Sequence, residues 1–283
     1  MWVYLSSSFS LDTPRQKEDV EKYLILFGYL DEAKSYSINE TFEGLSKYQK
    51  FFGLPVTGRA DQATLELMQK PRCGMADPSS YVINSPGFPK RNLTFTVSKY
   101  SQKISKKQID EDVALSFQRW AEASGLTFTR VEGKADLDAS FTPRYHGDGN
   151  PFDGPGGVLA HAFYPNSPRK GQTHFDKEEN WKHFQSANDS GIDFFSVSLH
   201  EFGHSLGLGH SNVYDAVMYP YYRYNENKTL QQDDIDGIKA IYRLSETTVY
   251  VITTLGSVNL KYFFWRAIGN VKGNDCGTIR KGG

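Results

Sequence analysis

Apolar residues recur every three or four positions in the first quarter of the chain, a pattern typical of amphipathic helices. The first apolar face is formed by Val20, Tyr23, Leu24 and Phe27. Gly28 is placed to end that helix, and a second stripe covers residues 41–52 before a turn rich in glycine. A third helix is predicted at 62–69, with Asp61 as its N-cap. Residues 11–72 are therefore predicted to form a small three-helix unit without catalytic residues.

Proline, glycine and serine are frequent in residues 78–91, which predicts an exposed linker. Beyond it the pattern changes to mixed strands and helices. Strands are predicted at 93–97, 126–131 and 137–141. Helices are predicted at 106–123, 192–206 and 233–242, the middle one capped by Asp189 or Ser190. Residues 244–283 carry no informative pattern.

The strongest chemical signal begins near the end of the predicted helix at 192–206, where the chain reads H-E-x-x-H-x-x-G-x-x-H from His200 onward. On a helix, His200 and His204 leave the same face and can bind one ion. Gly207 permits a positive φ, so the chain can turn back and bring in His210 as a third ligand. Three nitrogen ligands leave a tetrahedral zinc ion one open position, as hydrolysis requires. A helix with incidental histidines would explain the first five residues but not the glycine and third histidine.

A second signal is the prolyl loop at residues 71–77, which presents a cysteine between charged residues. Arg72 precedes Cys73 and favours its thiolate, which is a strong zinc ligand. Cys73 could therefore occupy the open position of the zinc ion and act as an internal inhibitor. A buried structural thiol and a disulfide to Cys276 are the alternatives.

A glycine-rich stretch between these motifs holds further metal-binding side chains. The ligand types of a closed structural zinc site occur at His146, Asp148, His161 and His174. Carboxylates and bare glycine carbonyls nearby could bind a hard cation such as calcium, with carboxylates at Asp153, Asp176 and Glu179. A solvated loop with scattered histidines is the plainer interpretation.

The composition restricts the class of partner and the location of the protein, and it does not alter the predicted metal sites. The 283 residues carry a net charge of -1 and 39% apolar side chains, enough for one large core or two smaller ones. Nothing in this balance points to nucleic acid. No apolar run reaches the length of about 18 residues that a transmembrane helix needs. Residues 1–14 could be the remnant of a signal peptide, and sequons compatible with secretion occur at Asn39, Asn92, Asn188 and Asn227.

With these motifs the chain resembles a matrix metalloproteinase, a metzincin zinc endopeptidase, in its zymogen form. Residues 71–77 are similar to the family's cysteine switch, P-R-C-G-x-P-D, and the histidine motif followed by Met218 is similar to the metzincin zinc motif with its Met-turn. The resemblance runs from about residue 15 to residue 244. It implies an α+β fold, with a small three-helix prodomain followed by a metzincin catalytic domain whose twisted, mostly parallel sheet carries three helices.

The resemblance also implies a domain order. An inhibitory helical prodomain would occupy 15–77, an activation linker 78–91, a zinc metalloprotease catalytic domain 92–244 and a tail of unknown structure 245–283. The tail is too short for the haemopexin-like propeller of most members, so a form lacking that domain is expected. The mature enzyme would begin near Tyr81, with its new amino group paired to Asp233 or Asp234. The dibasic Lys90-Arg91 lacks the upstream arginine of a furin site, so another activating protease is expected.

The ligand sets follow residue by residue from the family pattern. The catalytic zinc would be held by His200, His204 and His210, with Cys73 as the inhibitory fourth ligand. The structural zinc would be held by His146, Asp148, His161 and His174. A calcium ion would be held by Asp153, Gly154, Gly156, Val158, Asp176 and Glu179. Asp136 could contribute to a second calcium, although no aspartate stands at 172 to complete that site.

Two departures from the family pattern affect specific expectations. Ala76 replaces the proline of the switch and is expected to loosen the loop. Ser196, four residues before His200, stands where the family often has a large residue that shapes the S1′ pocket. An open pocket for a long apolar side chain is therefore expected.

The implied activity is hydrolysis of peptide bonds in extracellular matrix or other extracellular proteins by a secreted enzyme. Zinc would acidify a water molecule and polarise the scissile carbonyl, while Glu201 acts as general base and then general acid. Residues 158–162 would offer a strand edge to an extended substrate that adds antiparallel. The expected partners of this monomer are protein or peptide substrates, an activating protease and tissue-inhibitor-type proteins, with no nucleic acid.

Two other functional classes remain open from the residues alone. One is a regulatory or binding protein that keeps a metalloproteinase shell; the intact Glu201 and ligand set argue against it. The other is a zinc hydrolase of cell-wall peptides, because the helical prodomain resembles peptidoglycan-binding modules. The third histidine and the cysteine loop favour an endopeptidase.

Overall fold

The computed structural model describes residues 14–32, 36–77, 85–183, 190–225 and 228–242. Several sequence-based expectations therefore lie outside the described residues: the signal-peptide remnant up to residue 13, the new amino terminus at Tyr81, the helix cap at Asp189, the sequons at Asn188 and Asn227, and the tail with Cys276.

The first three helices occur where the apolar stripes predict them. Helix α1 is Pro14–Leu26, α2 is Ile38–Phe51 and α3 is Gln62–Met68. Helix α2 begins with a capping box, in which Ser37 and Glu40 bond each other's backbone N–H, and Asp61 caps α3 as predicted. Gly28 follows α1 with a φ of 80°, which a residue with a side chain rarely adopts. An aromatic core holds the three helices together, with Tyr23, Phe27 and Tyr48 buried.

A six-stranded sheet follows along the described part of the chain. Its strands are β1 Arg72–Cys73, β2 Asn92–Lys99, β3 Thr127–Arg130, β4 Leu137–Thr142, β5 Val158–Ala162 and β6 Gln172–Asp176. Their order is β1-β5-β6-β4-β2-β3, and every pair is parallel except β5 with β6. The short loop after the N-terminal helices thus supplies an edge strand, β1, to a sheet formed otherwise by later residues.

Three more helices pack with this sheet. Helix α4 is Lys106–Ser124, α5 is Phe194–Ser205 and α6 is Gln232–Ile241. The core joins α4 to α5, because Trp120 donates from Nε1 to the Leu199 carbonyl at 2.9 Å and Phe117 stacks on Phe202 at 4.2 Å between ring centroids. The predicted fold class, helices followed by a mostly parallel sheet with three helices, is confirmed. Among the described helices none is both long and apolar enough to span a bilayer.

The start of α5 differs from the sequence-based prediction. Ile192 and Asp193 form strand β8, paired in parallel with β7, Trp181–Lys182. Asp193 then caps the helix by accepting a hydrogen bond from the Ser196 N–H at 2.8 Å, so the predicted cap at Ser190 was wrong. The apolar run alone cannot separate a buried strand from the helix it leads into.

Candidate active site and metal centres

Helix α5 and the turn after it bring three imidazoles together. His200 and His204 stand one turn apart, with their Nε2 atoms 3.1 Å from each other. The helix ends at Ser205, and Gly207 has a φ of 115°, which turns the chain so that His210 returns to the same point. A side chain at Gly207 would also lie 2.9 Å from the Ser85 carbonyl oxygen. The ligand atoms of these histidines and of Cys73 all lie within 4.8 Å of one another.

Hydrogen bonds orient two of these rings. His200 donates from Nδ1 to the Val217 carbonyl, and His204 donates from Nδ1 to the Leu208 carbonyl, each at 2.7 Å. Both Nε2 atoms are thereby left as acceptors facing the same point, which is how second-shell contacts prepare metal ligands. Burial lowers the pKa of His200 and of His204, so both rings are neutral at pH 7. The donor set fits a zinc ion.

Glu201 lies beside this cluster with a fully buried side chain. Neither carboxylate oxygen has an N–H or O–H partner in the described part of the chain, and the neighbouring group is the Cys73 thiol. Burial raises the pKa of Glu201 to about 8, while the contact with Cys73 opposes that rise. A carboxyl group that titrates near neutrality can both accept and return a proton.

Asp234 supports the turn around Met218, next to the histidine cluster. The sequence had not indicated this role. Its carboxylate accepts hydrogen bonds from the N–H groups of Val217, Met218 and Gln231 at 2.8 to 3.0 Å. The thioether of Met218 lies against α5, since a side chain at Gly203 would come 2.4 Å from its sulfur. Asp234 is thus fully engaged in holding the turn around Met218.

Replacing Asp234 with alanine should lower the free energy of unfolding by about 3 kcal/mol, because three buried N–H groups lose their acceptor. Urea unfolding monitored by circular dichroism would measure the loss. Asp236→Ala removes an exposed aspartate from the same helix and should change stability by less than about 0.5 kcal/mol. Equal effects in the two variants would contradict the assigned role of Asp234.

Strand β1 lies between two backbone segments and is hydrogen-bonded to both. The space that it occupies is called the slot below. On one side, Arg72 N–H donates to the Gly157 carbonyl at 2.7 Å and Gly74 N–H donates to the Ala160 carbonyl at 2.8 Å. On the other side, Cys73 N–H donates to the Pro220 carbonyl at 3.0 Å. A side chain at Gly74 would lie 2.6 Å from Val158, so glycine is required for this close approach. The slot directs the Cys73 side chain toward the histidines.

The thiol of Cys73 is buried, and its sulfur accepts a hydrogen bond from the Met75 N–H at 3.4 Å. Burial raises the pKa of Cys73, Glu201 adds to that rise, and Arg72 opposes it only weakly. Arg72 thus acts in the expected direction, towards the thiolate, but in this structure its effect on the pKa of Cys73 is smaller than that of burial. Cys73 is a free cysteine.

Arg72 instead ties the N-terminal helices to the site. It pairs with Asp77 at 2.7 Å, with both side chains buried, and its guanidinium lies 3.5 Å from the centre of the Phe27 ring. Asp77 also lies 2.6 Å from Nδ1 of His210. Burial acts to raise the pKa of Asp77, but Arg72 and His210 outweigh it and hold that pKa below its ordinary value. The contact between Asp77 and His210 had no signal in the sequence.

A second cluster joins the residues predicted for structural zinc. One oxygen of Asp148 lies 2.7 Å from Nε2 of His146, 2.7 Å from Nε2 of His161 and 2.8 Å from Nδ1 of His174. The four ligand atoms lie within 4.8 Å of one another. Burial lowers the pKa of His174 to about 4, which leaves this imidazole neutral at pH 7. Three imidazoles and one carboxylate fit a closed tetrahedral zinc site.

The predicted calcium residues include two buried carboxylates, at Asp176 and Glu179, and a partly buried one at Asp153. Glu179 accepts a hydrogen bond from the Gly156 N–H at 2.7 Å, and Asp153 accepts one from the Val158 N–H at 3.0 Å. One oxygen of Asp176 is buried without a hydrogen-bond partner in the described part of the chain. Burial raises the pKa of Asp153 to about 6 and that of Glu179 to about 7, and Asp176 adds repulsion to both. Carboxylates that repel one another in this way are the ligand type that a hard cation prefers, although their oxygens do not form a close group like those of the two histidine clusters.

Gly154 has a φ of 93°, and a side chain there would lie 2.5 Å from the Arg144 guanidinium. Asp136, the weaker calcium candidate, is engaged elsewhere: it accepts hydrogen bonds from Thr94 and pairs with Lys90 at 2.7 Å.

A cavity opens beside His200 and Glu201. Its walls are Cys73, Leu159, Ser196, Val197, Tyr219, Pro220, Tyr221, Tyr222 and Lys228. Ser196 lines it as the sequence had predicted. Lys228, which comes from the segment before α6, had no signal in the sequence.

Comparison with known proteins agrees with this geometry. Residues 87–243 match the matrixin peptidase family, and residues 17–68 match a family described as a peptidoglycan binding domain. Neutrophil collagenase of Homo sapiens is 42% identical over 259 residues, covering 87% of this chain and 54% of that protein. Interstitial collagenase of Sus scrofa is 43% identical over 247 residues, covering 83% and 51%. Matrilysin of Mus musculus is 41% identical over 232 residues, covering 80% and 86%.

The chain spans about half the length of the curated collagenases that it matches, and 86% of matrilysin. The family match covers more than half of the 283 residues, and it contains both histidine clusters. The chain therefore belongs to the matrixin family, the zinc metalloendopeptidases that include the collagenases and matrilysin.

Proposed function

We propose that this protein is a secreted zinc-dependent endopeptidase, made as a latent zymogen, that hydrolyses peptide bonds of extracellular matrix or other extracellular proteins. The observation that supports it most is the buried Glu201 carboxyl beside three converging imidazoles. His200, His204 and His210 would hold the catalytic zinc ion. When bound, zinc supplies a Lewis acid and lowers the pKa of a water molecule.

Glu201 would carry the proton transfers. Its carboxylate would accept a proton from the attacking water and deliver it to the leaving amine. Neither oxygen of this carboxylate is held by an N–H or O–H group in the described part of the chain, so both are available to the proton.

The slot that holds β1 supports an extended mode of substrate binding. Backbone groups that form hydrogen bonds line both sides of the slot, from β5 on one side and from residues 220–222 on the other. A substrate strand would replace β1 and add antiparallel to β5, using the same carbonyl and N–H groups. The side chain after the scissile bond would then enter the cavity beside His200, which serves as the S1′ pocket.

The zymogen would be latent because Cys73 lies at the point where the nitrogen atoms of the three histidines meet. Its sulfur would be the fourth ligand of the zinc ion and would take the position that the water molecule needs. The Arg72–Asp77 pair and the backbone bonds of β1 would keep the thiol there until the N-terminal helices are removed.

The remaining cations would be structural. A second zinc ion would be held by His146, Asp148, His161 and His174, and a calcium ion by Asp153, Gly154, Gly156, Val158, Asp176 and Glu179. These sites would fix the loops on either side of β5, which forms one wall of the cleft.

Metal analysis gives a direct measure of this assignment. We expect two zinc ions per chain, and one in the double variant His161→Ala/His174→Ala, because the second cluster then keeps only two of its four ligands while the first cluster is intact. The control His183→Ala removes a histidine that belongs to neither cluster and should retain two. Two zinc ions in the double variant would overturn the assignment of the second site.

The activity itself is tested with a quenched fluorescent peptide, assayed before and after limited proteolysis of the zymogen. Cleavage that appears only after proteolysis and disappears with a zinc chelator would support both the enzyme and its latency. A fully zinc-loaded, processed protein that cleaves no peptide would instead favour a regulatory protein with a metalloproteinase shell.

Secretion and partners belong to the same proposal. Asn39 and Asn92, two sequon residues, are exposed and open to glycosylation. The proposed partners are extended protein or peptide substrates, an activating protease and tissue-inhibitor-type proteins that would bind the cleft of a monomer.

A further inference from the structure

The cavity beside His200 is lined by an unusual combination of residues. Helix α5 contributes the small Ser196 and the apolar Val197 to the lining. Residues 219–222 and Lys228 line it as well. Among the described residues that line the cavity, Lys228 is the only lysine or arginine.

The ammonium group of Lys228 has no hydrogen-bond or ion-pair partner among the described residues, although its side chain is half-buried. The carboxylates of Asp193 and Asp234 act on it only through space. Asp234 binds three backbone N–H groups, and one oxygen of Asp193 caps α5, whereas the other oxygen of Asp193 is buried without a hydrogen-bond partner among the described residues. Arg223 repels it further. Burial lowers the pKa of Lys228 to about 8, with Arg223 adding to this effect, so the group is still mostly charged at pH 7.

A charged group held partly out of water without a partner is costly, and an incoming anion can relieve that cost. The same cavity is also lined by apolar and aromatic side chains, as at Leu159, Val197 and Tyr219. They suit the methylene groups of a side chain that carries its charge at the far end. Glutamate has this form, whereas leucine would cover the ammonium and leave it unpaired.

We propose that Lys228 is a specificity-determining residue, which makes this cavity select substrates with glutamate directly after the scissile bond. The inference rests on the proposed function, since it assumes that the cavity receives the side chain at that position. It changes the expectation drawn from Ser196: the lining of the pocket includes a cationic lysine and is not wholly apolar.

The test compares three peptides that differ only after the scissile bond, with glutamate, glutamine or leucine there. Glutamine has the shape of glutamate without its charge. In the proteolytically activated wild type, kcat/KM for the glutamate peptide should exceed that for the glutamine peptide by about tenfold or more, the usual range for a bond to a charged group. In Lys228→Met this ratio should fall to about one or below, and the leucine peptide should become the best of the three.

Two further variants separate charge from shape. Lys228→Arg keeps the cation and should keep the preference for glutamate. Lys239→Met removes an exposed lysine from α6 and should leave all three rates as in the wild type. A wild type without preference for glutamate over glutamine, or a preference that survives in Lys228→Met, would overturn the proposal.

A binding measurement keeps this test independent of turnover. Fluorescence anisotropy with the same peptides on activated Glu201→Gln gives their Kd values without cleavage. Tighter binding of the glutamate peptide that is lost in the double variant Glu201→Gln/Lys228→Met supports the role of Lys228, even if the protein proves inactive. Equal Kd values for glutamate and glutamine refute that role, whereas absence of cleavage in the wild type refutes only the proposed function.

Discussion

The variant Glu201→Gln is expected to retain zinc and to lose about a thousandfold in kcat/KM. Glutamine matches the shape of glutamate but cannot accept a proton, and a positioned general base contributes roughly 10²- to 10⁴-fold to such reactions. A thousandfold loss corresponds to about 4 kcal/mol of lost transition-state stabilisation. We expect the substitution to leave zinc binding and folding unaffected. Glu201 does not belong to either cluster of metal-binding side chains, and it makes no hydrogen bond to a nitrogen or oxygen in the described part of the chain.

The measurement combines peptide kinetics with metal analysis on the activated protein. Zinc content equal to that of the wild type shows that any lost rate arises from the carboxylate and not from an empty site. Glu178→Gln is the matched control, since it changes an acidic residue of similar size in the loop after β6. Activity of Glu201→Gln within about tenfold of the wild type would exclude Glu201 as the base.

The variant Cys73→Ser is expected to cleave peptides without any proteolytic activation. The full-length wild type should be slower than this variant by on the order of a hundredfold, equivalent to about 3 kcal/mol of binding lost with the thiol. Serine is nearly as small as cysteine, so the backbone bonds of β1 and the Arg72–Asp77 pair can persist. A neutral hydroxyl is a far poorer zinc ligand than a thiolate.

Met75→Ala is the control for Cys73→Ser, since it shortens a neighbouring side chain and keeps the N–H that contacts the sulfur. It should remain latent. If Cys73→Ser were as latent as the wild type, the backbone slot and the ion pair would account for inhibition without the thiol. A rate in Cys73→Ser close to that of the processed enzyme would show that β1 leaves the slot readily once the sulfur is absent.

Much of the architecture could be predicted because its signals are local. Helix α3 begins at Asp61 since an aspartate can bond the N–H three residues on, and Gly207 turns the chain since glycine tolerates its φ. The two histidine clusters could be proposed for the same reason, from ligand types at recognisable spacing. The start of α5 could not, because the pairing of β8 with β7 overrides the apolar run.

The parts that sequence analysis missed depend on contacts between distant segments. Asp77 reaches His210, and Tyr221 bonds the hydroxyls of both Tyr23 and Tyr48, across more than a hundred positions of sequence. Lys228, from the segment before α6, lines the same cavity as Ser196 and Val197 of α5. The sequence also could not show how deeply Cys73 is buried, and this burial raises the pKa of the thiol by more than Arg72 lowers it.

The direction of β1 has a consequence for how the zymogen is processed. It runs parallel to β5, opposite to the direction proposed for a substrate. A catalytic site presents its base and metal in a fixed order along the peptide, so a segment bound backwards offers its carbonyl and nitrogen in the wrong sequence. The active site therefore cannot hydrolyse the β1 segment that occupies its own cleft. Self-processing would have to be a reaction between two molecules, with an initial rate that rises with the square of the protein concentration and a lag that shortens when a trace of processed enzyme is added.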